Sequence, residues 1–315
     1  MRKDQWLNVL IVVLMAVLGV ICTVFIWLFW QASNQVVEHS HLSTTQVTTP
    51  SKTATSNQSA SNNQVMSTSE SGGDDQLEPG TNHNKKATAY TYKTTDIRKG
   101  IYDEASYKGK KVCFLTFDDG VNFEVTPRIL DVLKRYNVPA TFFVIGKTLG
   151  EPTKELVQRE IREGHAIGIH SYTHDYQKLY PGGYVDVKQV VKEVKDTQDS
   201  LQELLGKDFK TAVWRYPGGH MSWKGVEELD PVLRQAGYEW MDWNAMIGDA
   251  EGVATRPKYP SDAVAYHANT LTIAPNDHVR VVLMHDAPDK EITVESLPYI
   301  IEYYQEQGFE FGVLS

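Results

Sequence analysis

Cysteine is almost missing from this chain: only Cys22 and Cys113 occur in 315 residues. One lies in an apolar N-terminal run and the other in an expected strand, so a disulfide framework is excluded and the fold relies on its core. An excess of basic residues is missing too. The 31 Lys and Arg against 40 Asp and Glu leave a net charge of −9, which excludes nucleic acid as the main partner, because such domains carry a basic face. Large apolar residues are scarce from residue 31 to about 88, where Ser, Thr, Asn and Gln dominate. Such a segment cannot bury enough surface to offset its ordering entropy and is expected to be a disordered tether.

Ahead of the tether, residues 9–30 form an uncharged apolar run, preceded by Arg2 and Lys3 and edged by Trp6, Trp27 and Trp30. It is long enough to cross a bilayer as a helix and longer than the apolar region of a cleaved signal peptide. The expectation is an uncleaved anchor (residues 1–30) that leaves the rest of the chain outside the cell membrane, facing the cell wall. Residues 89–110 are a Tyr-containing segment at the domain edge, and 111–315 the main folded domain, expected to act as a monomer.

Beyond Lys111 a rhythm sets in. Strands are expected at 112–117, 140–145, 166–169, 212–215, 238–244, 279–284 and 309–314. Helices are expected at 125–136, 154–163, 185–205, 224–235, 262–271 and 294–307. Strands alternating with helices argue for an α/β fold, a parallel sheet covered by helices. About seven repeats suggest a closed or nearly closed (β/α) barrel, with a flat doubly wound sheet as the alternative. In such a barrel the site lies at the C-terminal strand ends, and polar residues collect there: Asp118 and Asp119, His170, Arg215, then His285 and Asp286, with Asp249 just past the fifth strand.

Two adjacent carboxylates ending an apolar strand are costly unless used, and Gly120 permits the turn that brings both to one site. One could bind a cation while the other handles protons; a solvated Asp-Asp-Gly turn is the bland alternative. His170 and His174, four residues apart, share a face if they lie on a helical turn. With Asp119 they would form a two-His, one-carboxylate site suited to Zn²⁺, Co²⁺ or another divalent ion. Ser171 stands where a helical zinc peptidase has Glu, which excludes that class. Arg215 near Asp118 would keep it ionised, and Gly218 could let a backbone N–H approach an oxyanion. His285 reads either as a core histidine or as a general acid whose protonated form Asp249 favours.

Residues 116–120, 170–174, 215–219 and 283–286 resemble, in order, the motifs of the NodB-homology polysaccharide deacetylases, carbohydrate esterase family four. The resemblance covers about 111–315 and implies a distorted (β/α) barrel. It further implies Asp118 as general base, Asp119, His170 and His174 as metal ligands, Arg215 as partner of the base, and His285 as general acid tuned by Asp249. Two departures stand out. Arg215-Tyr216-Pro217-Gly218-Gly219 replaces the usual Arg-Pro-Pro-Tyr-Gly, and Ala250 follows Asp249 where many members have Trp. The first removes the usual aromatic wall of the groove, and the two together predict a pocket more open on two sides. The expected activity is N-deacetylation of N-acetylglucosamine in peptidoglycan or a related surface glycan. The alternatives are an O-acetyl polysaccharide esterase, or a glycan-binding adhesion module that has lost turnover.

Overall fold

The alternation of apolar strands predicts two kinds of strand face, and both are filled. In the strand Val112–Asp118 (β2) every residue is buried, as expected of a parallel strand covered on both sides. Val112 and Phe114 join one apolar cluster with Phe143, Val213, Val279 and Val281, which fills the inside of the sheet. Cys113, Leu115 and Phe117 join the larger cluster beneath the helices. By the same period of two, Asp118, His170, Arg215 and His285 fall at inward positions of their strands. Gly168 leaves room for this filling, since a Cβ there would lie 2.7 Å from the Phe143 ring.

The structure is a computed structural model and describes residues 73–274 and 277–315. The expected anchor, and the tether as far as residue 72, lie outside the described residues. Among the described residues no helix is long and apolar enough to cross a membrane. In chain order the remaining strands are Thr91–Tyr92 (β1), Thr141–Val144 (β3), Ala166–Ile169 (β4), Val213–Trp214 (β5), Glu239–Trp240 (β6), Ala245–Met246 (β7), Val279–His285 (β8), Glu310–Phe311 (β9) and Val313–Leu314 (β10). The helices are Thr94–Tyr102 (α1), Thr126–Tyr136 (α2), Lys154–Arg162 (α3), Tyr176–Leu179 (α4), Val187–Leu205 (α5), Val226–Gln235 (α6), Pro260–Leu271 (α7) and Glu291–Glu306 (α8).

The main sheet runs β6-β5-β4-β3-β2-β8-β7, with β9 beside the start of β2, and its pairings are parallel. Its two edges, β6 and β7, are joined by residues 241–244 alone. That link spans at most about 18 Å, whereas the edges of seven flat strands would stand about 29 Å apart. The sheet therefore has to curl, and the flat alternative is excluded. Met241 N–H donates to the Trp214 carbonyl on one edge and Asn244 N–H to the Val281 carbonyl on the other. This crossing also corrects the expected strand at 238–244: only Glu239–Trp240 pairs there, residues 241–244 cross to the other edge, and the next strand, Ala245–Met246, begins beyond the expected bounds. The expected last strand is likewise divided: β9 pairs with β2 and β10 with β1.

A second correction concerns the tether. Residues 73–88 were expected to be disordered, yet Asn82, His83, Asn84 and Ala87 are buried. The Asn82 amide donates to the Ile167 and Leu314 carbonyls at 3.1 and 3.0 Å. A polar side chain that satisfies two carbonyls at the open end of the sheet compensates for missing apolar bulk. Helix α1 covers the same end, burying Ile97 and Ile101 against the inner cluster.

Candidate active site

Asp118 is the last residue of β2, and its side chain points inward, in register with His285. Arg215 reaches it from the end of β5, Nη1 donating to Asp118 Oδ1 at 2.8 Å and to Thr116 Oγ1 at 2.9 Å. The rest of the guanidinium is fixed by the Met241 and Asp242 carbonyls and by the Phe143 ring 4.1 Å below it. Burial, the largest influence, raises the Asp118 pKa, and Arg215 only partly reverses this. Arg215 acts in the expected direction, lowering the pKa as an opposite charge does, while burial leaves the carboxyl above its ordinary range.

Strict alternation would send Asp119 outward beneath the helices. A left-handed backbone at φ 81° turns it into the site instead. Among the described residues Asp119, Asn137, Ser171 and His174 are the non-glycine residues with positive φ. Asn137 is a helix C-cap and the other three lie in this site, the pattern expected where function imposes backbone strain. Residues 170–174 correspondingly form a loop rather than the expected helical turn. Its shape is imposed by Glu193, buried on α5, whose Oε2 accepts the Tyr172 and Thr173 N–H groups at 3.0 and 2.9 Å. Its Oε1 accepts the Thr173 hydroxyl and the Gln189 amide, both at 2.8 Å.

This loop brings the two imidazoles to Asp119. His170 Nε2 and His174 Nε2 lie 3.7 and 3.5 Å from Asp119 Oδ1, and one ligand atom from each residue falls within 4.8 Å of the others. Two ligands bound tetrahedrally to one Zn²⁺ would be about 3.4 Å apart. Asp119 Oδ1 is buried without a hydrogen-bond partner, an orphan that a cation would satisfy. His170 Nδ1 is 2.9 Å from the Arg215 carbonyl, which fixes that nitrogen as the donor and leaves the Nε2 lone pair facing Asp119. Burial, then the neighbouring His174, lower the His170 pKa to about 3, so the ring is neutral, as a metal ligand must be. The residues fit a divalent cation.

His285 ends β8. Its Nδ1 lies 2.9 Å from Asp249 Oδ1, and its N–H donates to Asp249 Oδ2 at 2.7 Å. The Thr293 hydroxyl and the Lys290 ammonium hold Asp249 in turn. Burial by itself lowers the His285 pKa, but Asp249, joined by Asp118 and Asp119, more than offsets this and raises it to about 9. The imidazole is therefore a cation at neutral pH, with Nε2 as its free N–H. Gly218, in the turn after β5, has φ 80°, and a Cβ there would stand 3.1 Å from the Tyr176 hydroxyl. The structure thus gathers Asp118, Asp119, His170, His174 and Arg215 around one point, pairs His285 with Asp249, and puts Gly218 beside Tyr176.

Sequence reasoning missed Glu193, Thr116 and Thr293. Glu193 had a visible signal: it interrupts the apolar stripe Val190, Val194 and Leu201 of α5, where a carboxylate without a task would be costly.

Residues 105–240 match the family model described as polysaccharide deacetylase. The chain is 36% identical over 207 residues to a peptidoglycan-N-acetylglucosamine deacetylase of Bacillus cereus, covering 65% of this chain and 69% of that one. A solved CE4 esterase from Streptococcus mutans is similar with a TM-score of 0.74 and 47% identity, over 77% of this chain and all of that one. A solved polysaccharide deacetylase from Bacillus cereus is similar with a TM-score of 0.54 and 33% identity, over 65% and 92% of the two chains. With its strand-end carboxylates, histidines and arginine set in a curled parallel sheet, the chain belongs to the polysaccharide deacetylase family, the NodB-homology proteins of carbohydrate esterase family four.

Proposed function

We propose that this protein hydrolyses the N-acetyl group of N-acetylglucosamine units in peptidoglycan or a related cell-surface glycan. The observation that carries the proposal is the meeting of Asp119, His170 and His174 beside a buried carboxylate, Asp118, with the partly buried imidazole of His285 in register with it. Asp119, His170 and His174 would hold a divalent cation, Zn²⁺ or Co²⁺ by donor type, which would supply Lewis acidity to polarise an acyl oxygen and acidify water.

The chain's own groups do the rest. Asp118, with Oδ1 held by Arg215, presents Oδ2 to remove the proton from attacking water. The Gly218 N–H, which has no acceptor among the described residues, faces the developing oxyanion. As the C–N bond breaks, His285 gives its Nε2 proton to the departing amine, and acetate and a glucosamine unit result. Asp249 stabilises the cationic imidazole before that transfer and holds its orientation. The uncharged run 9–30 and the polar segment after it support a single-pass anchor and a tether that hold the domain outside the membrane, within the wall.

Acetate release from acetylated chito-oligomers and from peptidoglycan tests this, with and without chelator, for wild type and Asp118→Asn. Chelation and the substitution should each abolish release. Release that survives both would overturn the mechanism. The likeness to a CE4 esterase at 47% identity supports a second reading, in which an O-acetyl ester is the target and protonation by His285 is less demanding. A higher rate on O-acetylated than on N-acetylated glycan would select it.

A further inference from the structure

Beside the three metal-site residues stands a row of rings without a task in the chemistry above. Tyr180 is buried and stacks on Trp223 at 4.0 Å and 14° between planes. The Trp223 indole N–H donates to the Pro217 carbonyl at 2.8 Å, and its ring meets the edge of Tyr176 at 5.1 Å. Tyr176 in turn lies 5.3 Å from the His174 ring. One end of the row is therefore fixed in the core and the other abuts His174.

Tyr176 is the odd member. It is 41% exposed, and its hydroxyl makes no hydrogen bond to another described residue. A tyrosine present only for packing would turn its ring inward and pair its hydroxyl when buried. The backbone beneath it is nonetheless fixed: Asp175 caps the short turn through the Gln177 N–H at 3.0 Å, and Tyr180 N–H donates to the Tyr176 carbonyl at 2.9 Å. Its other flank is kept open by Gly218, where a Cβ would press on both the Tyr176 hydroxyl and the Trp223 ring at 3.1 and 3.2 Å. A rigid, half-exposed ring is thus placed between a cation site and a backbone turn with no side chain. The sequence predicts a groove without its usual aromatic wall, and Tyr176, the first residue of α4 just after the histidine loop, offers a ring beside the cation site.

We infer that Tyr176 is a specificity-determining residue, a platform on which the pyranose ring of the acetylated sugar stacks while its acetamido group reaches Asp119, His170 and His174. The inference rests on the deacetylase reading. A β-linked gluco-configured hexosamine has equatorial ring substituents, so its faces are C–H surfaces that suit an aromatic plane. An axial hydroxyl, as in a galacto sugar, spoils one face.

The test uses the full chain and acetylated chitotetraose, with kcat and KM measured separately for wild type, Tyr176→Ala and Tyr176→Phe, and zinc affinity measured for all three. Removing one ring contact should raise KM roughly three- to tenfold in Tyr176→Ala. The expected kcat is within about twofold of wild type, as for uniform binding. Tyr176→Phe should behave as wild type, and zinc affinity should not change. An unchanged KM in Tyr176→Ala would overturn the inference, as would a Phe variant as poor as the Ala variant, which would assign the effect to the hydroxyl. Weaker zinc binding with a lower kcat would make Tyr176 a mere support for His174, and would overturn it too. A wild type that binds zinc but releases no acetate would instead defeat the deacetylase reading beneath it.

Discussion

Replacing Asp249 with asparagine removes one charge next to the proposed proton donor at nearly constant shape. Asp249 contacts His285 at both Nδ1 and the backbone N–H, at 2.9 and 2.7 Å, so the lost charge acts at the shortest possible range. Burial alone would hold the imidazole below 6.5; its neighbours, Asp249 foremost, raise it to about 9. If the whole displacement is lost, the protonated fraction at pH 8 falls from about nine-tenths to about 3%, roughly a thirtyfold drop in kcat/KM. At pH 6 the same change costs less than about twofold. A cation at Asp119 cancels part of the contribution from Asp118 and Asp119, so thirtyfold is the upper figure. The altered hydrogen bond adds a pH-independent loss, which lowers the profile without moving it. The assay is kcat/KM for acetate release between about pH 5.5 and 9.5 in both proteins. The alkaline limb should move down in Asp249→Asn. Two profiles of the same shape, differing only in height, would refute the assignment of His285 as the acid. Stability follows with the same sign. Because the folded pKa of His285 is raised, its contribution is complete below the unfolded value of 6.5 and is lost as pH rises through about 9, and it amounts to about 3 kcal/mol.

Glu193→Gln keeps the shape of the residue that folds the histidine loop but removes its charge. Zinc affinity should fall about 10- to 100-fold, as for other supporting groups behind metal ligands, and an unchanged affinity in a competition titration would contradict this role. Glu160 is buried, with neither oxygen partnered, and burial, helped by Asp286, holds its carboxyl well above the ordinary range. A carboxyl raised in the folded state stabilises least above that raised pKa, so Glu160→Gln should have a higher urea midpoint than wild type at alkaline pH and a smaller advantage near pH 4. A lower midpoint throughout would show that the carboxyl has a partner. Zinc at a hundredfold excess over its Kd should stabilise wild type by about 2.7 kcal/mol, read as a rise in Tm, and Asp119→Ala should show none of it.

The fold was legible where burial on both faces makes strands continuous apolar runs. β2, β4 and β8 fall within a residue of the expected bounds, and their ends carry the polar residues singled out beforehand. The pair Asp118 and Asp119 was legible for the same reason, since carboxylates ending an apolar run stand out. Legibility failed where one element serves two partners. Residues 238–244 look like one strand because both of its neighbours are apolar, yet the chain there crosses between two sheet edges. The histidine loop failed differently: a spacing of four suits a helix, and only Glu193, some twenty residues on, makes a left-handed loop the better state. Residues 73–88 have the composition of a tether, and no local pattern announces that Asn82 will find two unpaired carbonyls.

The central claim is that Asp119, His170 and His174 hold one divalent ion beside Asp118. Zinc-edge anomalous scattering from crystals grown with zinc measures this directly. A single strong peak about 2.0–2.2 Å from Asp119 Oδ1, His170 Nε2 and His174 Nε2 is the expected result. A zinc-replete crystal without a peak there, or with its peak at other residues, would contradict it.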